Sequence, residues 1–306
     1  MKTTPVTRAD LTRSVIAVPP LCRRADDSFS IDATENRKLI EHLEGGGVST
    51  LLYGGNANLY HIAVSEYDEL LNFLQETVAD DTWVIPSVGP MFGTILDQAA
   101  ILKQHDFPTA MVLPTLFPAT VSGIQTAVRK FVDTAGMPAV LYIKDESYIT
   151  PEGAAQLVDD GIISWIKYAI VRENPTVDEY LTKLIDLVDP GMIVSGIGEQ
   201  PTIAHLNKFG LAGFTSGCIC IAPSKSMEVL HALQAGSLDR AEELIGEFKP
   251  LEDQRNAHGP IPVLHHAVEL AGIADTGPPL PMMSALPDEK LAGIESAARQ
   301  IVEMRS

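Results

Sequence analysis

The sequence is poor in cysteine, with only Cys22, Cys218 and Cys220 among 306 residues. An odd number without a framework excludes a disulfide-stapled secreted scaffold and fits a reducing compartment. Cys218-Ile219-Cys220 would set both thiols on one face of a strand. A zinc site needs more ligands at other spacings, so inert buried thiols and no metal are expected. Positive charge is scarce too: 22 Lys and Arg stand against 40 Asp and Glu, a net charge of −18. Such a surface repels phosphate backbones and anionic lipid, which argues against nucleic acid or membrane as partners. A small anionic substrate would need a locally positive or amide-lined pocket. No apolar run approaches the roughly 20 residues that span a bilayer. The N-terminal stretch MKTTPVTRADLTRSV lacks the apolar core of a secretory signal, so a cytoplasmic enzyme is the expectation. A dinucleotide fingerprint is also missing. VSGIGEQ lacks the third glycine of G-x-G-x-x-G, and the glycine pair of YGGNAN is equally weak.

What is present is a large apolar fraction, 45%, and a regular alternation. Short β-rich runs fall at 14–21, 48–53, 83–88, 109–113, 138–143, 163–170, 192–196 and 212–221. Each is followed by an amphipathic stretch, at 31–45, 64–79, 93–105, 121–135, 150–160, 176–188, 200–209 and 224–236. Runs without polar alternation, such as AVLYI and MIV, suit parallel strands buried on both faces. Eight strand–helix units predict a (β/α)8 barrel over residues 1–236, within the roughly 250 residues such a fold takes. Residues 237–306 carry helical periodicity in three segments, with DTGPPLPMM as an irregular connector. They predict a helical extension that covers one side of the barrel or mediates assembly.

In a barrel of this kind the chemistry gathers at the C-terminal ends of the strands. Lys167 interrupts the apolar run SWIKYAIV. Burial disfavours its ammonium form, which makes a nucleophile for carbonyls. The same lysine could also snorkel to water or pair with Glu199. Tyr142, one strand earlier, could shuttle protons at a substrate oxygen or an imine nitrogen, or simply pack. Gly55-Asn56, Gly196, Thr215 and Glu199 sit at other strand ends. Asn58, Tyr60 and His61 could line the pocket or meet a neighbouring subunit. Glu199 could pair with Lys144 or contact a polyhydroxyl substrate. His265-His266 reads as packing or surface.

The fifth run VLYIK, the sixth WIKYA, the seventh VSGIGE and the eighth GFTSGCICIAP resemble the N-acetylneuraminate lyase and dihydrodipicolinate synthase family. The second, LLYGGNANLYHIAVSEY, is similar to that family's Gly-Thr-Thr-Gly-Glu segment and the helix after it. The resemblance covers nearly the whole chain. It implies a class I aldolase mechanism in which Lys167 forms a Schiff base with a 2-oxo acid and Tyr142 relays protons. Gly55 and Asn56 match the two hydroxylic residues that bind the 2-oxo acid carboxylate, and Gly196, Thr215 and Glu199 would complete the substrate pocket. No cofactor is implied, and a homo-oligomer, a tetramer, is. The chain departs from the synthase branch at three points. The two hydroxyls are absent. Pro114-Thr115-Leu116-Phe117 stands where that branch has a tyrosine pair. Ser147 falls where it has an arginine for a second carboxylate. The expected function is a Schiff-base lyase that cleaves or forms a C–C bond next to a 2-oxo acid, or dehydrates a 2-oxo-3-deoxy sugar acid. The alternatives are dihydrodipicolinate synthase-like condensation and a barrel that binds such acids without turnover.

Overall fold

The computed structural model describes residues 1–26 and 28–303. The last three residues of the expected helical extension lie outside them. A parallel sheet runs in the order β3-β2-β1-β9-β8-β7-β6-β5-β4. Its strands are β1 Ile16–Ala17, β2 Thr50–Leu52, β3 Trp83–Ile85, β4 Ser87–Val88, β5 Ala110–Val112, β6 Ala139–Ile143, β7 Ile163–Tyr168, β8 Ile193–Ser195 and β9 Gly213–Ser216. β3 and β4 are two halves of the single run expected at 83–88. Pro86 splits them because it has no N–H for the ladder. Its carbonyl still accepts from the Met111 N–H at 2.8 Å. β3 pairs with β2 and β4 with β5, so the ring has eight staves: a TIM barrel.

Helices follow the strands: α2 Ala33–Gly45, α3 Val64–Thr77, α4 Phe92–Leu102, α5 Val121–Ala135, α6 Pro151–Asp159, α7 Glu179–Leu187 and α8 Pro223–Gln234; α1, Arg8–Thr12, precedes the ring. Their starts are written in the sequence. Thr120, Thr150 and Asp178 each accept an N–H of the first turn of α5, α6 and α7, and Pro151 occupies the first turn of α6. Three expectations shift. The first strand is far shorter than 14–21, since Pro19 and Pro20 cannot donate to a ladder. Residues 203–208 wind as a π-helix rather than an α-helix. Cys218–Cys220 is a 3-10 turn, not a strand, because the Ile219 N–H turns back to the Ser216 hydroxyl at 3.0 Å.

Side chains alternate in β7, so Trp165 and Lys167 share the inner face, with Trp165 one layer deeper. Trp165 meets Trp83 edge-on, ring centroids 6.3 Å apart, and both are fully buried. This pair floors the barrel beneath Lys167. The C-terminal segment forms α9 Leu238–His258, α10 Pro260–Leu270 and α11 Asp288–Glu303. The end of α9 and the start of α10 reach over the mouth of the ring. Among the described residues, no helix is long and apolar enough to cross a membrane.

Candidate active site

A cavity of about 200 Å³ opens at the C-terminal ends of the strands. A larger groove, about 610 Å³, lies between α4 and α5. Its lining has no charged side chain, whereas the smaller cavity is lined by Lys144, Lys167, Glu252 and Arg255. Lys167 lies in that smaller cavity with 4% of its surface exposed. Burial, reinforced by the charges of Lys144 and Arg255, brings its pKa down from 10.5 to about 7. Tyr142 is its register partner on β6. The Lys167 Nζ stands 4.6 Å from the centroid of the Tyr142 ring. Burial pushes the Tyr142 phenol well up, so it stays protonated. Gly196 is required by the lysine stem. A Cβ there would lie 3.0 Å from Lys167 Cγ and Cε and 2.8 Å from Ala169 Cβ.

Gly55, Asn56, Tyr60 and Thr215 also line the cavity. Asn56 is held from two sides. Its amide donates to the Val18 carbonyl at 2.8 Å, and its own carbonyl accepts from His265 Nε2 at 2.9 Å. Burial lowers the His265 pKa to about 4, which keeps the ring neutral. His265 thus fixes the turn after β2, a role its place in a helical stretch did not suggest. Asn58 turns out of the cavity. It adopts the left-handed conformation (φ 57°), and its amide reaches the Leu280 carbonyl at 3.2 Å. His61 is exposed and does not line the cavity. Lys144 is exposed at the rim and has no ion-pair partner among the described residues.

Glu199 is the correction. It does not face the cavity and does not meet Lys144. Gly198, at φ 92°, turns the chain away from the mouth. The Glu199 carboxyl is fully buried and accepts from the Ser226 hydroxyl of α8 at 2.5 Å. The carboxylate that faces the cavity is Glu252, on α9. Burial and Glu252 raise the Glu199 pKa to about 8, so one proton stays in this pair at neutral pH. Glu252 accepts from Arg255 Nη1 at 3.1 Å and from the Cys218 thiol at 3.3 Å. Glu199, Cys218 and Glu252 bring donor atoms within 4.8 Å of one another. Burial keeps the thiol protonated, and Arg255 already supplies the positive charge that a cation would bring. Glu252 and Arg255 were invisible in the sequence, since charges on an amphipathic helix read as a solvated face.

The comparisons with known proteins, made over the whole chain, converge on one family. Over 286 residues, 91% of either chain, the protein is 22% identical to a probable 5-dehydro-4-deoxyglucarate dehydratase of Rhizobium rhizogenes. Over 262 residues, 85% of either chain, it is 20% identical to a 4-hydroxy-tetrahydrodipicolinate synthase of Corynebacterium diphtheriae. The fold matches that of dihydrodipicolinate synthase from Bacillus clausii, with a TM-score of 0.83, 20% identity, and 94% of this chain and 97% of that chain covered. It also matches Ruminococcus gnavus sialic acid aldolase, with a TM-score of 0.81, 15% identity, and 95% and 98% covered. Residues 18–300, from the end of β1 to the last helix, match one family model, and the chain belongs to the dihydrodipicolinate synthetase family.

Proposed function

We propose that the protein is a Schiff-base lyase acting on a 2-oxo acid. The observation that carries this reading is Lys167: 4% exposed, with a pKa near 7, beside the Tyr142 ring. A lysine that is half free amine at neutral pH attacks a ketone carbon. Nitrogen adds, the carbonyl oxygen leaves as water with one proton from the amine and one taken up from solvent, and a protonated imine remains. That cation draws electrons from the neighbouring bond. Loss of a proton, or scission of a C–C bond, leaves an enamine on Lys167. Aldol cleavage and β-elimination both use this enamine, and the names of the relatives, a dehydratase, synthases and an aldolase, are in keeping with it. Tyr142, kept protonated by burial, is suited to pass the proton between substrate oxygen and solvent. The amide-lined turn at Gly55-Asn56 is suited to receive the acid's carboxylate, and Thr215 and Gly196 complete the wall.

The test is a panel of 2-oxo acids with borohydride and intact mass. Reduction should leave one adduct, on Lys167. An adduct on Lys144, or none with any acid, would sink the reading. The same panel should include pyruvate with aspartate semialdehyde, for which little or no condensation is expected. Ser147 is exposed and its hydroxyl donates to Asp145 at 2.6 Å, so it offers no cation to a second carboxylate. Efficient condensation would overturn that selectivity.

Assembly into a homo-oligomer, a tetramer, belongs to the same proposal. Met91, Phe92, Leu116 and Phe117 lie exposed beside the α4–α5 groove, Phe117 at 85%. Light scattering at micromolar concentration should show a mass well above that of the 33.0 kDa chain. A monomer alone would remove this part.

A further inference from the structure

We propose that Arg255 supplies the charge that binds the carboxylate next to the ketone, alongside the backbone of the turn after β2 and in place of the side-chain hydroxyls that positions 55 and 56 lack; this rests on the Schiff-base reading above. The turn after β2 offers only backbone and the Asn56 amide, and that amide is already committed to the Val18 carbonyl. It brings no charge. Arg255, near the C-terminal end of α9, brings one. A Cβ on Gly217 would sit 2.8 Å from Arg255 Nη2 and 2.9 Å from Asn56 Nδ2. The guanidinium and the Asn56 side chain therefore converge over the same glycine. Only glycine leaves that space, and the guanidinium fills it from the far side of the chain.

The guanidinium is held by one edge only. Nη1 donates to Glu252 at 3.1 Å and lies 3.8 Å from Cys218 Sγ. Nε is buried without a partner, and Nη2 has no acceptor among the described residues. The side chain is 12% exposed, and the residue lines the cavity. A desolvated guanidinium with unfilled donors beside the attacking lysine is matched to a planar oxyanion. The arrangement also resolves a conflict. An anionic substrate alone would draw Lys167 back toward its ammonium form. A cation that meets the carboxylate offsets this, and Arg255 is already one of the charges that hold the lysine neutral.

The experiment compares pyruvate with methyl pyruvate, the same ketone without the charge. Each is trapped on Lys167 with cyanoborohydride, and the concentration for half-maximal adduct is read by intact mass. In Arg255→Gln that concentration should rise about 10- to 100-fold for pyruvate, the range of a lost charge-assisted hydrogen bond. For methyl pyruvate the rise should be at least several-fold smaller, because the ester shares only the loss that comes from a more protonated Lys167; a merely structural role of the arginine would not produce that split. Arg255→Lys serves if the glutamine variant does not fold. It keeps the charge but loses the planar fork, so the preference for acid over ester should still fall several-fold. An equal loss for acid and ester, or an unchanged preference in the variant, overturns the assignment to Arg255. No adduct from either probe in the unaltered protein overturns the Schiff-base reading, and this assignment with it.

Discussion

Lys167→Ala is expected to abolish both the borohydride-trapped adduct and all lyase turnover. The reasoning is one of proton inventory. An unperturbed lysine at pH 7 is free amine in on the order of one molecule per thousand or fewer. In the barrel, burial and the charges of Lys144 and Arg255 bring the pKa to about 7, so about half is nucleophilic. The trapping rate should therefore climb as pH rises through about 7 and level off above it. Stability carries the same signature. The folded pKa lies below the unfolded one, so between about 7 and 10.5 the unfolded chain binds more protons. Stability gains from this group as pH rises across that window, and the cost of burial is fully present below about 7. Lys167→Met removes the titrating group while filling the space. It should be more stable than the unaltered protein at pH 6, by an amount on the order of a few kcal/mol, and the difference should shrink toward pH 10. It should also be inactive. Thermal unfolding across pH checks the first point and trapping checks the second. Residual turnover in either variant, or an adduct on another lysine, would remove Lys167 from the chemistry.

Tyr142→Phe should slow turnover by roughly 10²- to 10⁴-fold, the range for loss of a positioned acid–base group, while leaving an adduct detectable. The ring packs at 4.6 Å from the lysine nitrogen, so phenylalanine keeps the wall and loses only the hydroxyl. The nucleophile survives, because its pKa depends first on burial, then on Lys144 and Arg255, and not on this phenol. Single-turnover kinetics beside adduct mass separate the two steps. Turnover near that of the unaltered protein would leave Tyr142 as packing.

Much of the barrel is legible because its strands are buried on both faces and so appear as unalternated apolar runs. AVLYI is buried at every position. Lys167 is legible for the same reason, as the one charge within such a run. The failures share a cause: they depend on backbone turns or on contacts from distant chain. Glu199 follows a strand end and looks as if it belongs to the mouth, but the left-handed turn at Gly198 sends it toward Ser226 instead. Cys218-Ile219-Cys220 has the composition of a strand, yet the Ser216 hydroxyl captures the Ile219 N–H and winds it. Arg255, Glu252 and His265 lie on helices where polar residues usually meet water. Nothing local marks them as facing inward, because what they face is, respectively, Gly217, Cys218 and Asn56, from 34 to 209 positions earlier.

The clasp between the turn after β2 and the C-terminal helices bears on when the protein becomes reactive. His265 holds the Asn56 carbonyl, Leu280 holds the Asn58 amide, and Glu252 and Arg255 wall the cavity. All four belong to the final fifth of the chain, whereas the lysine is made at its midpoint. During synthesis a ribosome has added Lys167 long before it adds α9. Until then the amine lacks one of its charged neighbours and part of its cover, and it stays nearer its ordinary, protonated and unreactive state. On the Schiff-base reading, a chain without α9 in place is therefore a poorer nucleophile than the finished fold, and the helices made last complete a site whose lysine was made first.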